Sequence, residues 1–224
     1  MNQDERRSES RKKIVDAARE IFFREDFMGA NLDEVARVAG LSKGSIYRYF
    51  NNKAGLYLSV VGETGKEHTA ALTAVVESDP EGHVLSRMRA MARFQLDYWG
   101  RHPDHLRIFW ALDNQAVIGE LPSEMVDRVE QAWRRNLAIG QRVLDDGVKR
   151  GELLPVDTWN LIHTCWVLQT ALIEQDTTRI RRRVRDRSLG EAYFGAVEIL
   201  VRGALDPNHA LPEGEGAEAV LLRR

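Results

Sequence analysis

The sequence predicts an all-α fold, a small N-terminal three-helix head followed by a larger helical body, with about nine helices in all. Three observations carry this. Apolar residues recur at i, i+3, i+4 and i+7 in segment after segment. Residues that start and stop helices separate those segments. No stretch alternates apolar and polar residues at the period of two that a half-buried strand needs.

Ile14, Ala17, Ala18, Ile21 and Phe22 mark one apolar face, predicting a first helix from Glu9 to Glu25 that FMGAN interrupts. Asn31 is a helix-capping residue and Glu34 stands at the capping-box spacing, so a second helix, LDEVARVA, starts at Leu32. Gly40 ends it, because glycine enters the left-handed region without steric cost. Ser42 caps a third helix that ends near Phe50. One long helix and two short ones joined by a glycine turn make a helix-turn-helix pattern.

The body follows from the same signals. A long helix is predicted from Lys53 to Glu77, and Asp79–Pro80 begins another through Val84, Met88, Met91 and Trp99. His102–Pro103 punctuates before HLRIFWAL. Leu121–Pro122–Ser123 caps a helix through Trp133, Leu137 and Leu144 that ends at Gly151. Leu154–Pro155 leads to Asp157, the cap of WNLIHTCWVLQTALIE. After the arginine-rich residues 179–187 comes a last amphipathic helix with Leu189, Tyr193, Val197, Leu200 and Ala204. The chain thus divides into a head (1–52), a body (53–205) and a Pro/Gly/Glu-rich flexible tail (206–224).

Composition excludes several classes. The single Cys165 rules out an intrachain disulfide framework and fits a reducing compartment. The N-terminal MNQDERRSESRKK lacks the apolar core of a secretory signal. The uncharged run from Thr158 to Ile173 is shorter than the roughly 20 residues that span a bilayer. These point to a cytoplasmic protein with no membrane segment. The net charge of −2 is uneven: residues 1–57 hold 11 Lys/Arg against 9 Asp/Glu. Between Val35 and Gly62 there is no acid at all, only Arg37, Lys43, Arg48 and Lys53. A local basic face on a mildly acidic chain is the footprint of a nucleic-acid contact.

SKGSIYRYFNNK, Ser42 to Lys53, lies in that acid-free zone. At about 100° per residue, Ile46 and Phe50 share a narrow apolar stripe that points into the head. Lys43, Gly44, Ser45, Tyr47, Arg48 and Tyr49 form the outward arc. Glycine allows close approach to a groove edge, and Ser45 and Arg48 carry donors suited to base edges or phosphate. Tyrosine hydroxyls suit phosphate oxygens. A plain solvated helix explains the stripe but not two outward tyrosines. GLSKGS lacks the spacing of a Walker-type phosphate loop and follows a helix rather than a strand.

Over residues 10–57, NLDEVARVAGLSKGSIYRYFNNKAGLY resembles the N-terminal signature of TetR-family transcriptional regulators. The shared features are a helix-turn-helix, aromatic-x-aromatic-Phe, and a lysine opening the fourth helix. The resemblance implies that Lys43, Gly44, Ser45, Tyr47, Arg48 and Tyr49 face double-stranded DNA and that Lys53 holds its backbone. Asn31 stands where threonine is common and still caps; Ala54 replaces a usual acid. It further implies a palindromic operator, a homodimer formed through the last two helices, and release by a small-molecule effector. Residues 157–175, apolar on more than one face, fit such a dimer.

All five tryptophans lie outside the head. Trp99, Trp110, Asn114, Trp133, His163 and Trp166 are the expected lining of a largely apolar effector pocket, with Gln115, Thr164 and Gln169 near them in the pattern. His102 and His105 are three apart beside Pro103 and read as helix-start residues rather than a metal pair. Cys165 reads as a buried thiol. RIRRRVRDR, six arginines against Asp186, reads as a solvated or interface-pairing loop. No nucleophile motif or carboxylate pair suggests catalysis, and no cofactor or metal is implied. The alternative is a helical small-molecule-binding or enzymatic protein whose head no longer binds DNA. Losing Lys43, Tyr47 and Lys53 would have favoured it, and all three are present.

Overall fold

The computed structural model describes residues 2–111, 123–177, 179–209 and 211, with the side chains of Asp26, Arg107, Trp110 and Ala111 outside the description. The expected Leu121–Pro122 start lies outside the described residues, as do 210 and 212–224 of the expected tail. Among the described residues ten helices run in order: α1 (Gln3–Gly29), α2 (Leu32–Ala39), α3 (Lys43–Tyr49), α4 (Lys53–Glu77) and α5 (Val84–Arg101). They continue as α6 (Pro103–Ala111), α7 (Ser123–Lys149), α8 (Thr158–Thr177), α9 (Arg179–Val184) and α10 (Leu189–Arg202). The all-α fold is as expected. Among the described residues, the helix beyond the expected set is α9.

The helices gather into two compact units, the first drawn from residues 2–69, 99–111 and 123–132 and the second from 70–98, 133–177, 179–209 and 211. In the first, Ile14, Ile21, Phe22, Val35, Ile46, Leu56 and Ile108 are fully buried. Phe22 and Phe27 pack edge-on against Tyr57 with centroids 4.8 and 5.1 Å away, and the Tyr57 hydroxyl donates to the Ile108 carbonyl at 2.8 Å. That bond satisfies the one polar atom of a buried ring. In the second unit the core is Val84, Leu85, Val143, Leu144, Tyr193, Val197 and Val201, with α8 packed along α10.

Several boundaries and caps differ from expectation, each for an identifiable reason. α1 begins at Gln3, six residues early, because Asn2 and Glu5 form a reciprocal capping box at 2.7 and 2.8 Å. It also runs through FMG to Gly29, since Phe27 is buried against Tyr57. Asn31 caps α2 through the Asp33 amide at 2.8 Å, but Glu34 does not close a capping box; its carboxylate accepts from Arg24 at 2.8 Å. α5 starts at Val84 rather than Asp79, because the Val84 amide donates to Glu152, 68 residues away, at 2.6 Å. The arginine-rich stretch is helical from Arg179 to Val184, and its acid partners are Glu174 and Asp176 rather than Asp186.

Other signals hold. Gly40 adopts φ 67°, and its N–H donates to the Ala36 and Arg37 carbonyls. Ser42 caps α3 through the Ser45 amide, and Asp157 accepts from the Asn160 amide at 3.0 Å. Asp206, placed in the tail by sequence, donates its amide to the Glu152 carbonyl at 3.0 Å.

Candidate nucleic-acid interface and effector cavity

Helix α3 is fastened by two residues and exposes the rest. Ile46 and Phe50 are buried; Lys43, Gly44, Tyr47 and Arg48 are exposed, and Ser45 and Tyr49 half-buried. Its N-terminus is fixed by Ser42, whose hydroxyl lies 3.0 Å from that of Ser45. Tyr47 is 48% exposed, uncommon for an aromatic ring. The Arg48 guanidinium lies 5.4 Å from the Tyr49 ring centroid, which aligns both along one side of the helix. A Cβ added to Gly44 would meet only Ser42 Oγ, at 3.8 Å, so packing within the chain does not demand glycine there.

The two lysines are held by neighbours. Lys43 donates to Asp33 of α2 at 2.9 Å, and this hydrogen bond raises its pKa above the ordinary value. Lys53 donates to the Met28 carbonyl at 3.2 Å with its ammonium 5.0 Å from the Phe27 ring centroid, tying the start of α4 to the end of α1. Ala54 is fully buried beneath it, where an acid would lack water. Arg11 of α1 lies 5.3 Å from the Phe50 ring centroid and donates to Ser59 of α4 at 3.3 Å. One guanidinium thus clasps the end of α3 to α1 and α4.

The second unit holds a small cavity of about 30 Å³, lined by Leu72, Met88, Met91 and Ile162 with the polar side chains of Gln95, Asn136 and Gln169. That is room for about one water, against the several hundred Å³ of a ligand pocket. Close helix packing keeps it small: a Cβ on Gly140 would lie 2.5 Å from Ile162 Cδ1 and 3.0 Å from Met91 Cε. Among the described residues, no charged side chain lines it. Cys165 lines it too, with burial pushing its thiol up to about 11.

Of the six residues expected around an effector, Trp166 lines this cavity, and Trp133 and His163 lie beside it with ring centroids 5.9 and 5.7 Å from Trp166. Trp99 belongs to the first unit, stacked on His68 at 5.0 Å and edge-on to Phe109 at 5.6 Å. The Trp110 side chain, Asn114 and Gln115 lie outside the described residues. The carboxamides of Gln95 and Asn136 and the two methionines were missed in the sequence, because they join Trp166 only when three helices pack. His102 and His105 stack at 4.7 Å, and His105 packs on Phe23; burial, then His102, lower its pKa.

A sequence model described as "Bacterial regulatory proteins, tetR family" matches residues 14–60, the helix-turn-helix and the start of α4. The "HTH-type transcriptional repressor SCO4008" of Streptomyces coelicolor is 31% identical over 63% of this chain and 71% of its own length. The "HTH-type transcriptional regulator SrpR" of Pseudomonas putida is 29% identical over 65% of this chain, and the match spans 64% of that regulator's length. A solved structure of FadR from Bacillus subtilis in complex with stearoyl-CoA superposes with a TM-score of 0.61 at 18% identity, covering 86% of this chain and 98% of that one. The last shows the fold alone. Among the described residues, no helix is long and apolar enough to cross a membrane. With a relative above 30% identity matched over most of its length, and the helix-turn-helix matched directly, the chain belongs to the TetR family of helix-turn-helix transcriptional regulators, which are not enzymes.

Proposed function

We propose that the chain is a ligand-responsive repressor that binds a palindromic operator as a homodimer and is released by a small molecule. The outward arc of α3 carries this reading: Gly44 with no packing need for glycine, Tyr47 half in solvent, and Arg48 exposed. Lys43, Ser45, Tyr49 and Lys53 complete the proposed DNA contact. The name of the Streptomyces relative supports repression. Val167 and Leu168 of α8 and Ile199 of α10 are exposed apolar residues on the two helices expected to form the dimer.

The effector acts, on this reading, by opening the cavity. It must bind the open state more tightly by the free energy with which it weakens operator binding. Lys53 and the cavity-lining Leu72 stand on the same helix, α4, which gives the ligand a lever on the head. The lining supports a largely apolar, uncharged effector.

Selection of bound DNA from a random pool, followed by release with a metabolite library, tests the proposal. An enriched palindrome is expected, with three cations per protomer giving a log–log salt slope near −5. Arg48→Ala is expected to weaken specific binding by about 1–3 kcal/mol if it reads a base. Absence of any enriched palindrome sinks the reading.

A further inference from the structure

The first three turns of α1 are left over by the functional reading. Residues 3–9 are exposed, yet they are helical, and Arg6 and Arg7 have no carboxylate partner among the described residues. Spacing relates them to the buried stripe farther along. Arg7 and Ser10 stand seven and four residues before Ile14, Arg7 stands four before Arg11, and Gln3 stands four before Arg7. Gln3, Arg7, Ser10 and Arg11 therefore continue the face that carries Ile14, Ala18 and Ile21 in the core. Arg6, four before Ser10, borders the same face. Asp4, seven residues before Arg11, borders the face on its other side, while Glu5 and Glu9 lie off this arc, and Glu9 is engaged by Lys13 at 2.8 Å.

Where this face passes the end of the reading helix is set by Arg11, over Phe50 and bonded to Ser59. Arg7 is one turn nearer the N-terminus on the same face of α1 as Arg11. Arg6 and Arg7, both exposed and without a carboxylate partner among the described residues, offer this end of α1 cations and no apolar side chain.

We propose that the first turns of α1 form a second DNA contact, with Arg6 and Arg7 gripping the phosphate backbone beside the groove that α3 reads. The inference rests on the DNA-binding reading above. Phosphate contacts position a protein without reading bases. The two arginines of each protomer add four phosphates per dimer, which steepens the expected salt slope from about −5 to about −9.

The test is a fluorescence-anisotropy titration of the selected operator across a salt series. Four proteins are compared: wild type, Arg6→Gln/Arg7→Gln, Lys12→Gln on the opposite side of α1, and Arg48→Ala. The expected result is a wild-type slope near −9, returned to about −5 by the double variant. The same palindrome is enriched, the circular dichroism is unchanged, and Lys12→Gln is indistinguishable from wild type. A double variant with the wild-type slope overturns the inference while leaving the regulator reading intact. So does Lys12→Gln lowering the slope as much. A wild-type slope near zero overturns both.

Discussion

The two units differ in where their most enclosed ion pairs lie. In the head the ion pairs lie in solvent: Lys43 with Asp33, Arg24 with Glu34, Lys13 with Glu9. The second unit has exposed pairs too, such as Arg181 with Glu174, but it also holds two carboxylates paired in the interior. Glu198, 3% exposed, accepts from Nη2 and Nε of Arg89 at 2.6 and 2.7 Å and also from Arg202, joining α5 to α10. Glu152 pairs with Arg150 at 2.9 Å while capping α5. Exposed pairs contribute little to stability and can exchange partners with a phosphate. Buried pairs cannot be given up without stranding a charge. The buried pairs of Glu198 and Glu152 are therefore structural, whereas the exposed pairs of the first unit remain free to exchange.

The sharpest way to break this contrast is Glu198→Ala. It leaves two guanidiniums without their carboxylate in a half-dry site, so a loss of about 3 kcal/mol in urea unfolding is expected. Burial works to raise the Glu198 pKa, but hydrogen bonds from Arg89 and Arg202 outweigh it and hold it below the ordinary value. The unfolded chain then takes up this proton first as pH falls. The stabilisation is complete above the ordinary carboxylate pKa and is lost as pH falls toward the depressed native value. Glu198→Gln is expected to flatten that acid limb; an unchanged limb would show that the network is not electrostatic.

Gly140→Ala tests packing rather than charge. Its Cβ meets Ile162 and Met91, so overpacking by about 1–3 kcal/mol opposes a helix-propensity gain of about 1 kcal/mol. A net loss in thermal midpoint is expected; a gain would mean that the cavity wall yields easily. Asp33→Asn has the smallest stability effect. It is expected to leave the thermal midpoint unchanged while tightening DNA binding, because Lys43 no longer has to leave a partner. Weaker DNA binding would show instead that Asp33 orients Lys43 for the contact.

Much of the fold was legible because its signals are local. Asn31, Gly40, Ser42 and Asp157 each act within four residues, and each caps where its chemistry says it should. Ile46 and Phe50 were legible by period alone. The start of α1 was not, since residues 3–13 have no apolar period and rely on the Asn2–Glu5 box. The start of α5 could not be, since Glu152 reaches it from 68 residues away. The arginine run read as a loop because its partners, Glu174 and Asp176, precede it on α8 rather than lying within it.

By itself the sequence determined an all-α chain with an acid-free reading helix, because helical period, caps and local charge are properties of neighbours in the chain. It also fixed which side chains of α3 point outward, since two buried residues on a short helix leave no other choice. Only the tertiary structure decided that Trp99 and Trp166 stand in different units, that Gln95, Asn136 and Gln169 share one small cavity, and that Arg11 clasps the end of α3. Each of these depends on contacts between helices far apart in sequence, and no spacing within one helix encodes which distant neighbour packs against it.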